Sequence, residues 1–269
     1  MKIALYKRTI EEAYLPQWHR LLHLLRARGA QPSLLGQDPE AAHADFVISV
    51  GGDGTLLGAV HAVGAAQAPI VGLNFGHLGF LTSAGRDDID GFVDDVLAGR
   101  YAIEERTLLD ISWAAAPDGI AQHSYALNEA YVHRSDRPSL LKTALYVDGD
   151  LVADYDADGL IVATPTGSTA YSLSCGGPIL TPNSGCFVAT PIAAHTLTLR
   201  PIIVPDTARL RLVARARQAP YCIGIDSRTM VVQGDSEIHL ARAPFTVRLA
   251  RMAGQNFYTA IHEKLSWGR

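Results

Sequence analysis

An apolar pentad, Phe46 to Val50, runs straight into Gly51-Gly52-Asp53-Gly54-Thr55, and a helical pattern follows to Val63. This junction constrains the chain more than any other segment, because a strand, a tight glycine loop and a helix in immediate succession are the opening of an α/β unit. Gly51, Gly52 and Gly54 allow positive φ and carry no Cβ, so their backbone amides, with Thr55, can approach phosphate oxygens closely. The helix that follows points its N-terminal dipole at the same place. Asp53 is the exception, since a carboxylate repels phosphate. It makes sense there if it faces an attacking hydroxyl or helps to hold a metal ion; the plainer alternative is a turn whose aspartate caps the next helix.

Strand and helix continue to alternate through the first hundred residues. Ile3 to Tyr6 reads as a buried strand, and Trp18, Leu21, Leu22 and Leu25 recur at helical spacing between Pro16 and Gly29. Asp38-Pro39-Glu40 opens a short helix, Ile70 to Leu73 is a strand, and Asp87 to Ala98 is helical up to Gly99. This alternation predicts an α/β domain over residues 1–100 with a parallel sheet covered on both faces. From Tyr101 the pattern changes to short strands, among them Leu109–Trp113, Ala126–His133, Thr143–Val147 and Leu210–Ala214. The segments between them carry turn chemistry, with Asp148-Gly149 and Gly234-Asp235 as hairpin turns. Residues 101–254 therefore predict a mostly antiparallel β domain. Phe257, Ile261 and Leu265 recur every four residues, so 255–269 predicts a helix that packs back on the first domain.

A second glycine-bearing block, DGLIVATPTGSTAYSLSCGGP from Asp158 to Pro178, lies more than a hundred residues beyond the first. Thr164 to Tyr171 crowds hydroxyl residues and a glycine at a strand-to-helix junction, which suits the lining of a nucleotide, with Tyr171 against a base; the plainer alternative is a Ser/Thr-rich capping turn with Tyr171 in the core. Together the two blocks suggest a site, built from two domains, that holds a polyanion around an acidic residue: the chemistry of nucleotide phosphoryl transfer. Asn128-Glu129 sits inside an apparent strand, where the two side chains would face opposite ways. Both reach one ligand only near a strand end or a bulge, and a solvent-facing glutamate is the plainer expectation. The loop Asn74 to Phe80 has the small residues to wall a ring pocket, with His77 as either a ligand contact or a loop residue.

Composition excludes several classes. The 269 residues carry a net charge of -4, so no global field attracts nucleic acid or an anionic membrane. A bound polyanion must be met locally by amides, arginines or a metal. Three cysteines, Cys175, Cys186 and Cys222, are too few and scattered for a disulfide framework or a zinc site. No pair of histidines has zinc-ligand spacing, and no protein metal ligand is singled out. Without a membrane-length apolar run or a signal peptide, the chain reads as soluble and cytoplasmic.

In this order, GGDGT, Asn128-Glu129, the Asp158–Pro178 block and the later PIAAHTLTLRP resemble the NAD kinases, over about residues 46 to 205 by motif. GGDGT is also found in lipid kinases and phosphofructokinases; TPTGSTAY is the specific part. The resemblance implies transfer of the ATP γ-phosphate to the 2′-hydroxyl of the adenosine ribose of NAD, giving NADP. It implies a Rossmann-like N-terminal α/β domain and a β-sandwich-like C-terminal domain, a divalent metal (Mg²⁺), ATP or polyphosphate as donor, and a homodimer or homotetramer. By the same resemblance Asp53 is the catalytic residue, Asn128, Glu129, Thr169, Ala170, Tyr171 and Ser174 contact NAD, and Phe80 lines its pocket. Asp158 resembles the family aspartate that reaches substrate in a neighbouring subunit. The chain departs from the family pattern at Asp156 and Ala157, ahead of the second block. It departs again in GIDSR, where Asp226 matches the family's D-G-Q and Ser227 and Arg228 do not.

Overall fold

The computed structural model describes residues 1–38, 41, 43–76, 79–116, 121–135, 141–215 and 220–268. The chain divides into two compact units, one of residues 1–105 and 246–269 and the other of residues 106–245.

The first unit opens with β1 (Lys2–Lys7), α1 (Leu15–Ala27), β2 (Gln31–Leu34) and β3 (Phe46–Val50). Then come α2 (Asp53–Val63), β4 (Ile70–Asn74), the two-residue β5 (Ala84–Gly85), α3 (Ile89–Leu97) and the start of β6 (Tyr101–Trp113). The strands order as β2-β1-β3-β4 and pair in parallel, with Ile3 opposite Phe46 and Val47 opposite Ile70. Every residue of β3 and β4 is buried, as a parallel sheet covered by helices requires. Pro16 stands in the first turn of α1, and Trp18, Leu21 and Leu25 turn one stripe of that helix onto the core. Each such side chain contributes roughly 1.5–3 kcal/mol by leaving water. On the helix carrying the glycine block, Gly58 meets Tyr6: a Cβ there would lie 2.4 Å from the tyrosine hydroxyl. The helix expected at Asp38-Pro39-Glu40 lies in part outside the described residues, as does His77.

The second unit continues through β6 to β7 (His123–Ala126), β8 (Glu129–Arg134), β9 (Leu141–Val147), β10 (Asp150–Ala157) and β11 (Gly159–Ala163). After a short 3₁₀ turn comes α4 (Tyr171–Ser174), then β12 (Cys186–Ile192), β13 (Ile202–Pro205), β14 (Leu210–Arg215), β15 (Tyr221–Ile225) and β16 (Arg228–Val232). Among the described residues six strands, in the order β13-β12-β11-β8-β15-β16, form a wholly antiparallel sheet. β9, β10 and β14 pair antiparallel in a second layer with the start of β17 (Ser236–Met252). One core of side chains from both layers, among them Leu145, Tyr155, Leu160, Phe187, Leu212 and Ile223, makes this unit a sandwich. Asp148 and Gly149 both have positive φ, the hairpin turn their sequence calls for.

β17 then runs on into the first unit, where Leu249 pairs in parallel with Ile70, and α5 (Phe257–Leu265) ends the chain. Ile261 of α5 is buried. Both crossings between units fall inside continuous strands, β6 and β17, so no turn residue marks them. That is why the crossings lie at 105/106 and 245/246 rather than at the changes of pattern near residues 101 and 254. No helix among the described residues is long and apolar enough to cross a membrane.

Candidate active site

In the first unit the glycine block folds as the junction it resembles. Gly51 has φ +142°, and a Cβ on it would strike the Thr55 hydroxyl at 2.5 Å. The chain turns at once into α2, whose first residue is Asp53. The aspartate does not cap its own helix. Its carboxylate accepts backbone N–H bonds from Phe80 at 2.8 Å, Leu81 at 3.1 Å and Thr82 at 3.2 Å. These three consecutive amides form a small concave donor set of the kind that holds anions. Gly79 makes the approach possible, since a Cβ there would lie 2.0 Å from Asp53 Oδ1. The 79–82 loop is itself fixed: Gly79 N–H donates to the Thr82 hydroxyl at 2.7 Å, and Ser83 N–H to the Gly72 carbonyl at 2.8 Å. A cleft of about 350 Å³ opens beside the glycine block, lined by Arg8, Tyr14, Gly51, Gly52, Thr55 and Asn74. The helix N-terminus and Arg8 give it the chemistry to receive phosphate.

The loop has an anchor that the sequence did not reveal. Arg251, buried in β17, sets Nη1 and Nη2 each 3.2 Å from the Phe80 carbonyl oxygen and Nε 3.0 Å from Glu104 Oε2. Arg251 in LARM is one of several arginines along the long strand β17 and carries no local mark of such a task.

In the second unit Asn128 stands in the break between β7 and β8, and Glu129 is the first residue of β8. They occupy a strand end, one of the two arrangements that let neighbouring strand residues share a ligand. Glu129 is not solvent-facing: it is buried, and among the described residues neither its Oε2 nor Asn128 Oδ1 has a hydrogen-bond partner. Buried polar atoms left unpaired are costly, and the plainest reason to keep them is a ligand that pairs them. Burial, aided by the negative charge of Asp226, raises the Glu129 pKa to about 8, while the Tyr171 backbone amide opposes the shift.

Asp226 shapes this corner. It sits in the two-residue hairpin between β15 and β16 with φ +50°, and its Oδ1 accepts from the amides of Asn128 (2.8 Å) and Glu129 (3.2 Å). Oδ2 accepts from Leu127 at 2.9 Å. Burial pushes the Asp226 carboxyl up, and the three amides and the Arg228 guanidinium oppose this without cancelling it. Arg228 donates to the Ser124 hydroxyl and the Tyr125 carbonyl, and burial lowers its own pKa.

The TPTGSTAY hydroxyls serve the loop itself. Thr164 donates to the Leu127 carbonyl at 2.5 Å, Ser168 to the Pro165 carbonyl at 2.7 Å and Thr169 to the Thr166 carbonyl at 3.2 Å. Gly167 lets this loop close on the Asn128 strand end, for a Cβ on it would lie 2.1 Å from the Asn128 carbonyl oxygen. Tyr171 packs edge-on against Tyr131, ring centroids 5.4 Å apart, and Tyr131 in turn lies over Gly224. Ala170 and Tyr171 are half-exposed and Ser174 is exposed. Asp158 is engaged in a two-point ion pair with Arg134, Nε to Oδ1 at 2.5 Å and Nη2 to Oδ2 at 3.2 Å. Phe80 is half-buried in the loop that holds Asp53. Asn128, Glu129, Thr169, Ala170 and Tyr171 thus gather around one strand end of the second unit, and Gly51, Gly52, Asp53, Thr55 and Phe80 around one loop of the first. Among the described residues, no three His, Cys, Asp or Glu side chains are grouped to hold a metal ion.

The family model described as the ATP-NAD kinase N-terminal domain matches residues 11–101, and that described as the ATP-NAD kinase C-terminal domain matches residues 127–252. An NAD kinase of Porphyromonas gingivalis is 42% identical over 238 residues, which cover 88% of this chain and 81% of the relative. One of Flavobacterium psychrophilum is 40% identical over 224 residues, 83% of this chain and 76% of the relative. Among solved structures, an NAD kinase from Archaeoglobus fulgidus in complex with ATP superposes with a TM-score of 0.81 at 27% identity, covering 99% of both chains. Yeast NADH kinase complexed with NADH superposes with a TM-score of 0.87 over 100% of this chain and 88% of that one; at 23% identity it speaks for the fold.

Proposed function

Because the chain belongs to the NAD kinase family, we propose that it transfers the γ-phosphoryl group of ATP to the 2′-hydroxyl of the adenosine ribose of NAD, giving NADP and ADP. The observation that carries the reading for this chain's own residues is the Asp53 carboxylate, held by three amides at the head of α2 beside the glycine loop. A carboxylate has about four lone-pair positions. Three are filled by the loop, which leaves one for a ribose hydroxyl. As the 2′-oxygen forms its bond to the γ-phosphorus and the bond to the β,γ-bridging oxygen breaks, Asp53 takes the hydroxyl proton and ADP leaves. Gly52 and Gly54 offer their amides to phosphate oxygens, whereas the Gly51 amide donates to the Leu73 carbonyl and the Thr55 amide to the Gly52 carbonyl, each at 2.9 Å, so Gly51 serves by its turn and Thr55 by its hydroxyl. Asn128 and Glu129 hold NAD by the polar atoms that otherwise lack partners, with Thr169, Ala170, Tyr171 and Ser174 beside them, and Phe80 walls the pocket.

A divalent metal belongs to the same reading, and Mg²⁺ fits. It is commonly held by one or two carboxylates and the phosphates of its nucleotide rather than by an all-protein cage. Asp53 has no position left for the ion once the three amides and the ribose hydroxyl are counted, so the nucleotide phosphates and water would hold it. When bound, the ion offsets phosphate charge. Polyphosphate is an alternative donor on the same loop. Exposed Leu151 and Val152 on the edge strand β10 support a homodimer or homotetramer, in which Asp158 reaches substrate in a neighbouring subunit. The cytoplasm is the proposed compartment.

The test is NADP formation from NAD, ATP and Mg²⁺, read through an NADP-specific dehydrogenase, with Asp53→Asn alongside. The variant should bind NAD and lose at least a hundredfold in kcat. Near-normal turnover by folded Asp53→Asn protein would remove Asp53 from the role.

A further inference from the structure

We propose that Arg251 is the positioning residue for Asp53, acting through the peptide group between Phe80 and Leu81. The carbonyl of that peptide belongs to Phe80 and its N–H to Leu81. Arg251 grips the carbonyl end with both terminal nitrogens at 3.2 Å, while the N–H end donates to Asp53 Oδ1 at 3.1 Å. One planar group therefore carries a cation at one end and a carboxylate at the other. Because the peptide is rigid, fixing its oxygen fixes the direction in which its hydrogen points. The guanidinium also polarises the peptide, and so strengthens the N–H as a donor to an anion.

Three features make this more than a packing contact. The guanidinium is aimed by a second partner, with Nε 3.0 Å from Glu104 Oε2, and Nη1 also stands 3.5 Å from the Ser83 hydroxyl. It is buried, so water does not compete well for the carbonyl. Behind the loop lies a cavity of about 160 Å³, lined in part by Phe80, Thr82, Arg251, Asn256 and Thr259. Leu81, Thr82 and Ser83 are buried and seat the loop, so what the arginine opposes is rotation of the 80–81 peptide plane itself. Rotation would present the Phe80 carbonyl to the Asp53 carboxylate, oxygen against oxygen, and the carboxylate would leave its place. A lysine at 251 has one nitrogen and cannot keep the fork on the carbonyl and the bond to Glu104 together.

This proposal rests on Asp53 receiving the hydroxyl proton, so the experiment examines both. Arg251→Lys and Arg251→Met are compared with Asp53→Asn for kcat, for KM of NAD and of ATP, and for hydrogen exchange of individual amides. We expect both Arg251 variants to lose tenfold or more in kcat with each KM within threefold. The amides of Phe80, Leu81 and Thr82 should exchange at least tenfold faster while β3 and β4 keep their protection. A kcat within threefold of wild type in folded Arg251→Met protein overturns the proposal. So does a loss of kcat accompanied by loss of protection throughout β3 and β4, which marks a merely structural role. If Asp53→Asn turns over normally, the failure lies in the reading of Asp53, and the proposal falls with it.

Discussion

Gly79→Ala is a one-methyl test of the carboxylate's seat. An ideal Cβ at residue 79 would lie 2.0 Å from Asp53 Oδ1, 2.3 Å from Cγ and 2.4 Å from Oδ2, and real Cβ contacts essentially never fall under 3.0 Å. The carboxylate or the loop must therefore give way by about 1 Å or more. Gly79 is not among the glycines with positive φ, so alanine adds no backbone strain and the effect is confined to that clash. A displacement of this size at a reacting group costs on the order of a hundredfold in rate, or about 2.7 kcal/mol of activation free energy. Stability should fall less, by about 1 kcal/mol, because Asp53 is only half-buried and water can replace part of what the amides supplied. Asn128 and Glu129 are untouched, so KM for NAD should stay within threefold. Steady-state kinetics and thermal unfolding of the purified variant decide the matter. A kcat within threefold of wild type would show that the seat of the carboxylate does not govern turnover.

Two further outcomes bear on the second unit. Asp226→Asn keeps the volume, and asparagine tolerates the positive φ, but its amide nitrogen must face at least one of the N–H groups of Leu127, Asn128 and Glu129. It should destabilise the protein by about 1–3 kcal/mol and raise KM for NAD more than it lowers kcat; unchanged KM with unchanged stability would refute the positioning of that strand end. Glu129 gives an inverted pH dependence. With its carboxyl at about 8 in the fold against an ordinary 4.5, the folded protein holds a proton that the unfolded chain releases. Its contribution is present below 4.5 and lost as pH rises to about 8. Without ligand, the unfolding midpoint of wild type should therefore decline relative to Glu129→Gln between pH 5 and 8, and parallel curves would contradict the burial argument.

The local punctuation of the chain was legible. The strand-glycine-helix junction at 46–63, the helix from Phe257 to Leu265 and the Asp148-Gly149 hairpin are written in residues that only a few backbone conformations accept. The burial of Glu129 was not, because it depends on β11 and α4 closing over a strand end from thirty or more residues away. The task of the TPTGSTAY hydroxyls was half legible. Their density marked the loop, yet whether a threonine bonds a ligand or its own carbonyls is settled only by the turn it sits in. The task of Arg251 was the least accessible, and that of Asp226 nearly so although its match to D-G-Q marked the residue, since each meets a loop more than ninety residues distant in sequence. The meeting is made by strand pairing, which leaves no trace beside the residue itself.

β17 also sets an order of events during synthesis. The second unit is a continuous stretch, residues 106–245, and can close its core as soon as that stretch has emerged. The first unit, begun earlier, must wait: Ala250 and Met252 belong to its core, and β4 lacks its Leu249 neighbour until the C-terminal end is made. The domain started first is thus the one finished last. During elongation the flank of β4 that Leu249 pairs with, and the core places of Ala250 and Met252, are what a nascent chain of this protein leaves open until that stretch of β17 has emerged.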